Sequence, residues 1–128
     1  MVDVCCALIT GQNGNILVTQ RSVVMRLPLK WEFPGGKIEE GETPEECLIR
    51  EIQEELNIVI KVIKEMPAGI YDDGQLAIRL IPFQCIIVKG EICLTEHAAF
   101  LWCSPDELLA LDWAAADIPV VQHYLKSL

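Results

Sequence analysis

Three glutamates, Glu51, Glu54 and Glu55, stand at i, i+3 and i+4. On an α-helix that spacing places their side chains on one face. Like charges so placed repel by about a few tenths of a kcal/mol per pair. A hard divalent cation offsets this, because Mg²⁺ and Mn²⁺ prefer carboxylate oxygens. Most Glu-rich helix faces are simply solvated, but three features set this one apart. The carboxylates occupy the C-terminal half of the helix, where the macrodipole disfavours negative charge. A Gly35-Gly36 pair precedes the helix, and glycine exposes backbone to a ligand. Arg50 stands beside the glutamates and can hold one carboxylate through two parallel hydrogen bonds.

The helix that must carry these groups has readable ends. Thr43 can accept a hydrogen bond from a free N–H of the first turn, and Glu46 can reach back to the Thr43 N–H, a capping box. Pro44 takes the first helical position, where its missing N–H costs nothing. Asn57 tolerates the left-handed conformation of a helix C-terminus. The β-branched run Ile58-Val59-Ile60 then favours a strand. Leu48, Ile52 and Leu56, at i, i+4 and i+8, form the stripe that faces the core.

Taken together, the stretch resembles the signature of the Nudix hydrolases: Gly, five residues, Glu, seven residues, Arg-Glu, an aliphatic, any residue, Glu-Glu, any residue, Gly, an aliphatic. Gly36, Glu42, Arg50, Glu51, Ile52, Glu54, Glu55 and Ile58 fill eight of the nine defined positions. The departure is Asn57 in place of Gly, a small loss of stability rather than of chemistry. The segment Trp31-Glu32-Phe33-Pro34-Gly35-Gly36-Lys37 is similar to that of the MutT-like subgroup. The resemblance implies an α/β (α+β) Nudix fold: an α/β/α sandwich with a mixed β-sheet and the signature loop-helix against one face.

It also implies roles. The metal ligands would be the Gly35 carbonyl, Glu51, Glu54, Glu55 and Glu96, the last on a loop upstream of Trp102. Glu51 is either a ligand or the base that activates water, and Arg50 belongs to the catalytic group. Substrate contacts would be Arg21 with phosphate, Phe33 and Lys37 in the loop, and Asp117 with the base. Read without the resemblance, Arg21 and Glu96 are charges near strand ends, and Lys37 is as readily a solvated lysine. Asp117, just before Pro119, is equally a helix cap, and His97 is a structural or supporting group.

Composition bounds the reading. A chain of 128 residues, 52% hydrophobic, suits one domain over residues 1–128 with a real core. No apolar run approaches the roughly 20 residues of a membrane span. No signal peptide is visible at Met1-Val2-Asp3-Val4, which suggests a cytoplasmic setting. Six cysteines without CxxC or zinc-type spacing read as small hydrophobes in a reducing compartment. The net charge of −9 argues against a nucleic-acid polymer, not against a small phosphate ligand.

In chain order, strands are expected at Val2 to Thr10 and Ile16 to Gln20, joined by a hairpin-type turn at Gln12-Asn13-Gly14-Asn15. Val23 to Lys30 reads as a loop. Further strands are expected at Val59 to Ile63, at Gln75 to Val88 with Pro82 at an edge or bulge, and over the apolar Ala98 to Cys103. Tyr71-Asp72-Asp73-Gly74 reads as a turn. Lys89-Gly90-Glu91 reads as a second hairpin turn leading into Ile92 to Leu94. Ser104, Pro105 and Glu107 open a short helix ending near Ala110. A last helix runs from about Pro119 to Lys126, with Val121, Tyr124, Leu125 and Leu128 as its apolar face.

Cleaving a phosphoanhydride requires neutralised phosphates and a water in line. Metal held by several carboxylates meets both needs. The resemblance therefore implies a Mg²⁺-dependent nucleoside triphosphate pyrophosphohydrolase, with Mn²⁺ as a substitute, acting as a monomer or homodimer. The alternatives are hydrolysis of another nucleoside diphosphate derivative, such as ADP-ribose or a dinucleoside polyphosphate, or nucleotide sensing without turnover.

Overall fold

The computed structural model describes residues 1–128. Its strands are β1 (Val2–Ile9), β2 (Ile16–Gln20), β3 (Trp31–Glu32), β4 (Gly35–Lys37), β5 (Val59–Glu65), β6 (Gly69–Asp72), β7 (Ala77–Lys89) and β8 (Ala99–Cys103). Its helices are α1 (Pro44–Leu56), α2 (Pro105–Leu108) and α3 (Ile118–Lys126). The main sheet has the order β4-β1-β7-β5, with β6 also on β7. It is mixed: β1 and β7 run parallel, and the other pairs are antiparallel.

The alternation of β1 explains the layers. Cys5, Ala7 and Ile9 face α1 and pack with Leu48, Ile52, Leu56, Phe83 and Cys85. Cys6 and Leu8 face the other way, into a second core with Val18, Phe33, Leu108, Val120 and Tyr124. The sheet thus lies between α1 and α3, as the sandwich requires.

The ends of α1 are as the side chains predict. Glu46 N–H donates to Thr43 Oγ1 at 3.1 Å, and Thr43 N–H to Glu46 Oε1 at 2.9 Å. Asn57 sits in the left-handed region, at φ 58° and ψ 35°.

Several expectations are corrected. The Gln12 to Asn15 turn exists, but its flanking strands part into different sheets. Beyond a single Thr10–Ile16 bridge, β2 pairs with β3 and β8 in a separate three-stranded sheet. Tyr71 and Asp72 belong to strand β6, so the turn starts later, where Asp73 caps the N–H groups of Gln75 and Leu76. Strand β7 is central, not an edge. Pro82 is tolerated because it falls between the stretches paired with β6 (77–80) and β5 (83–89).

Glu91 to Leu94 forms neither hairpin nor strand. The segment instead caps the end of α1, with Cys93 N–H on Leu56 O at 2.9 Å and Thr95 Oγ1 on Glu54 O at 3.1 Å. Leu128 lies beyond α3 and is exposed, while Val120 joins Val121 and Tyr124 inside. All six cysteines are free thiols, and only Cys93 is exposed. No helix is long and apolar enough to cross a membrane.

Candidate active site

Strand β4 brings Gly35 and Gly36 between β1 and α1. A Cβ on Gly35 would stand 2.0 Å from the Cys5 carbonyl oxygen, so β1 itself demands glycine there. A Cβ on Gly36 would stand 2.4 Å from Glu51 Cδ. The first glycine lets the loop lie on the sheet, and the second lets it touch the carboxylate.

The three helix carboxylates occupy three different environments. Glu54 is exposed. Glu51 is half-buried and accepts from Arg50 Nη1 at 3.0 Å. Burial pushes its acid group up, against the opposing pull of Arg50. Glu55 is the most desolvated, and its Oε2 is buried without a partner. Burial, the charges of Glu32 and Glu51, and more weakly Glu96, push Glu55 up to about 9, although the Gly35 N–H acts the other way. No three acidic, imidazole or thiol groups are gathered closely enough here to hold a metal ion by themselves.

Arg50 makes a two-pronged contact, but with Glu42 rather than with one of the three helix glutamates beside it. Nε reaches Oε2 at 3.1 Å and Nη2 reaches Oε1 at 2.7 Å. The same guanidinium spans Glu51 and, at 3.4 Å, Glu54. It holds the Glu42 carboxyl down at about 2.

A pocket of about 530 Å³ opens beside these groups. Its lining includes Arg21, Phe33, Gly35, Lys37, Glu55, Glu96 and Asp117, so most expected site residues meet there. Asp117 stands at the N-cap position of α3, but its side chain makes no capping hydrogen bond. Its buried carboxyl accepts the Phe33 N–H at 2.9 Å, a bond that ties the final turn to the loop before Gly35. Burial first, and then Glu32, pushes Asp117 up to about 8. Phe33 is buried against Trp113, with ring centroids 4.8 Å apart. Lys37 is exposed, whereas Arg21 is already paired, with Nη1 on Glu32 Oε1 at 2.7 Å.

The sequence marks His97 as a structural or supporting group, but it does not show that Glu32 is the partner. Glu32 Oε2 lies 2.9 Å from His97 Nε2, across 65 positions of chain. For Glu32 the local signal was its place within Trp31 to Lys37.

The family model described as the NUDIX domain matches residues 1–124. A CTP pyrophosphohydrolase of Escherichia coli K12 is 34% identical over 125 residues, covering 98% of this chain and 92% of the relative. An 8-oxo-dGTP diphosphatase of the same organism is 44% identical over 120 residues, covering 94% and 93%. Among solved structures, the Escherichia coli ORF135 protein superposes with a TM-score of 0.85 at 33% identity, covering 98% of this chain and 89% of that one. The MutT protein of methicillin-resistant Staphylococcus aureus 252 superposes at 0.77 with 40% identity, covering 98% and 96%. The chain belongs to the Nudix hydrolase family.

Proposed function

We propose that the chain, as one domain over residues 1–128, hydrolyses nucleoside triphosphates to a monophosphate and pyrophosphate. The observation that carries this is Glu55. A desolvated carboxyl with an unpartnered oxygen lies on the wall of a pocket that also holds Arg21, Lys37 and Asp117. An anionic ligand beside such carboxyls calls for a cation between them. Relatives named as a CTP pyrophosphohydrolase and an 8-oxo-dGTP diphosphatase support the reaction class.

The donor set suits a hard cation. It is all oxygen: Glu55 and the exposed Glu96 line the pocket, and the exposed Glu54 is held only through its 3.4 Å contact with Arg50. Glu51, Glu54, Glu55, the Gly35 carbonyl and Glu96 would hold Mg²⁺. When bound, the ion neutralises phosphate charge and makes water a better nucleophile. Glu51 takes the proton of the attacking water or shares the metal, and Arg50 fixes its direction. Arg21 and Lys37 receive phosphate oxygens. Phe33 and Asp117 receive the base.

Glu51→Gln tests the assignment. Turnover should fall by about a hundredfold or more, with nucleotide binding nearly kept. Unchanged turnover would remove Glu51 from the mechanism.

A further inference from the structure

We infer that His97 is a positioning residue that acts through Glu32 to hold Arg21 at the rim of the pocket. This rests on the phosphate-binding role proposed above for Arg21.

Three segments meet at this point. Arg21 directly follows β2, and Glu32 lies on β3, whose register sets it opposite Thr19. His97 lies on the connection between β7 and β8, which is pinned to the end of β2 by Ala98 N–H on Gln20 O at 2.9 Å. The Glu32 carboxylate bridges the other two side chains, with Oε1 on Arg21 Nη1 at 2.7 Å and Oε2 on His97 Nε2 at 2.9 Å. Arg21 Nε–H donates to the Arg26 carbonyl. The guanidinium is thereby held at two of its nitrogens.

A carboxylate only accepts hydrogen bonds, so His97 Nε2 carries the proton of that contact. His97 Nδ1 is buried without a partner.

The need for a buried donor follows from Glu32 itself, whose carboxylate is largely shielded from solvent and uses one oxygen on Arg21 and the other on His97. With an apolar residue at 97, Glu32 Oε2 would lose its partner in a partly desolvated site. Glu32 would then turn toward solvent and release Arg21. His97 therefore contributes to phosphate binding without touching phosphate.

The test compares His97→Leu with His97→Gln, whose amide N–H can replace Nε2–H. For the preferred triphosphate, His97→Leu should raise KM about tenfold with kcat within about twofold, and His97→Gln should stay within about threefold of the parent KM. In an Arg21→Ala background, His97→Leu should add nothing, because both changes remove one device. Independently of turnover, the Arg21 Nη1 protons, which meet Glu32, should give a slowly exchanging NMR signal in the parent and in His97→Gln, lost in His97→Leu. Equal impairment by Leu and Gln, a fall in kcat alone, full additivity with Arg21→Ala, or an Arg21 signal retained in His97→Leu would each overturn the inference. A parent protein that cleaves no triphosphate would defeat the proposed function instead, and the NMR comparison would still decide this one.

Discussion

Gly36 lies directly against the carboxylate of Glu51. A Cβ at position 36 would fall 2.6 Å from each of its oxygens. The contact joins a loop of β4 to the middle of α1, and it makes the glycine a partner of the acid rather than a passive turn.

Gly36→Ala should therefore leave the fold but displace Glu51, because the clash is with the end of a side chain. Misplacing a reacting group by about 1 Å costs on the order of a hundredfold in rate. Gly35→Ala meets the Cys5 backbone, which cannot turn away, so it should destabilise the protein by about 1–3 kcal/mol or more. Thermal melts and initial rates on both variants check the contrast: the first should lose rate, the second melting temperature.

Arg50→Lys keeps the charge but not the fork that grips Glu42 while reaching Glu51 and Glu54. We expect kcat to fall by about tenfold or more with a small change in KM, since the loss is of orientation. Steady-state kinetics beside a melting curve would check this. An unchanged kcat would show that Glu51 needs no such guide.

Asp117 makes stability depend on pH in a definite direction. Its carboxyl is raised from 3.8 to about 8, so the folded chain holds that proton more tightly than the unfolded chain. The stability it contributes is complete below about pH 4 and is lost as pH rises through about 8. Asp117→Asn keeps an oxygen for the Phe33 N–H and removes the titration. Glu55 contributes in the same sense, so the decline in melting temperature between about pH 5 and 8 should become shallower, not vanish. A decline as steep as the parent's would contradict the account.

Metal should bind without nucleotide. Adding Mg²⁺ should raise the parent's melting temperature, a chelator should reverse the rise and abolish turnover, and Glu55→Gln should show little response. A full Mg²⁺ shift in Glu55→Gln would place the ion elsewhere.

What was legible in the sequence was local. Thr43 with Glu46, and Asn57 after Leu56, act within one turn of helix, so α1 could be bounded from residue types alone. The face carrying Glu51, Glu54 and Glu55 follows from helical period. The division into two sheets was not legible, because β2 leaves β1 after a turn that also suits an ordinary hairpin. Strand β6 is four residues long and opens on Gly69, too little pattern to separate it from the turn that follows. Pro82 suggested an edge or a bulge, since the gap between β5 and β6 is a tertiary fact. For Asp117 a helix cap stood as an equal reading beside the contact with the base, because its real partner, the Phe33 N–H, is 84 positions away. The contact between Glu32 and His97 was hidden for the same reason.

The measurement that bears most directly on the central claim is pyrophosphate release, with Mg²⁺, from a panel of 8-oxo-dGTP, dCTP, CTP, 5-methyl-dCTP, ADP-ribose and a diadenosine polyphosphate. The account predicts pyrophosphate from one or a few of the triphosphates, lost in Glu51→Gln. Silence on every triphosphate, with AMP formed from ADP-ribose or with metal-dependent binding alone, would contradict it.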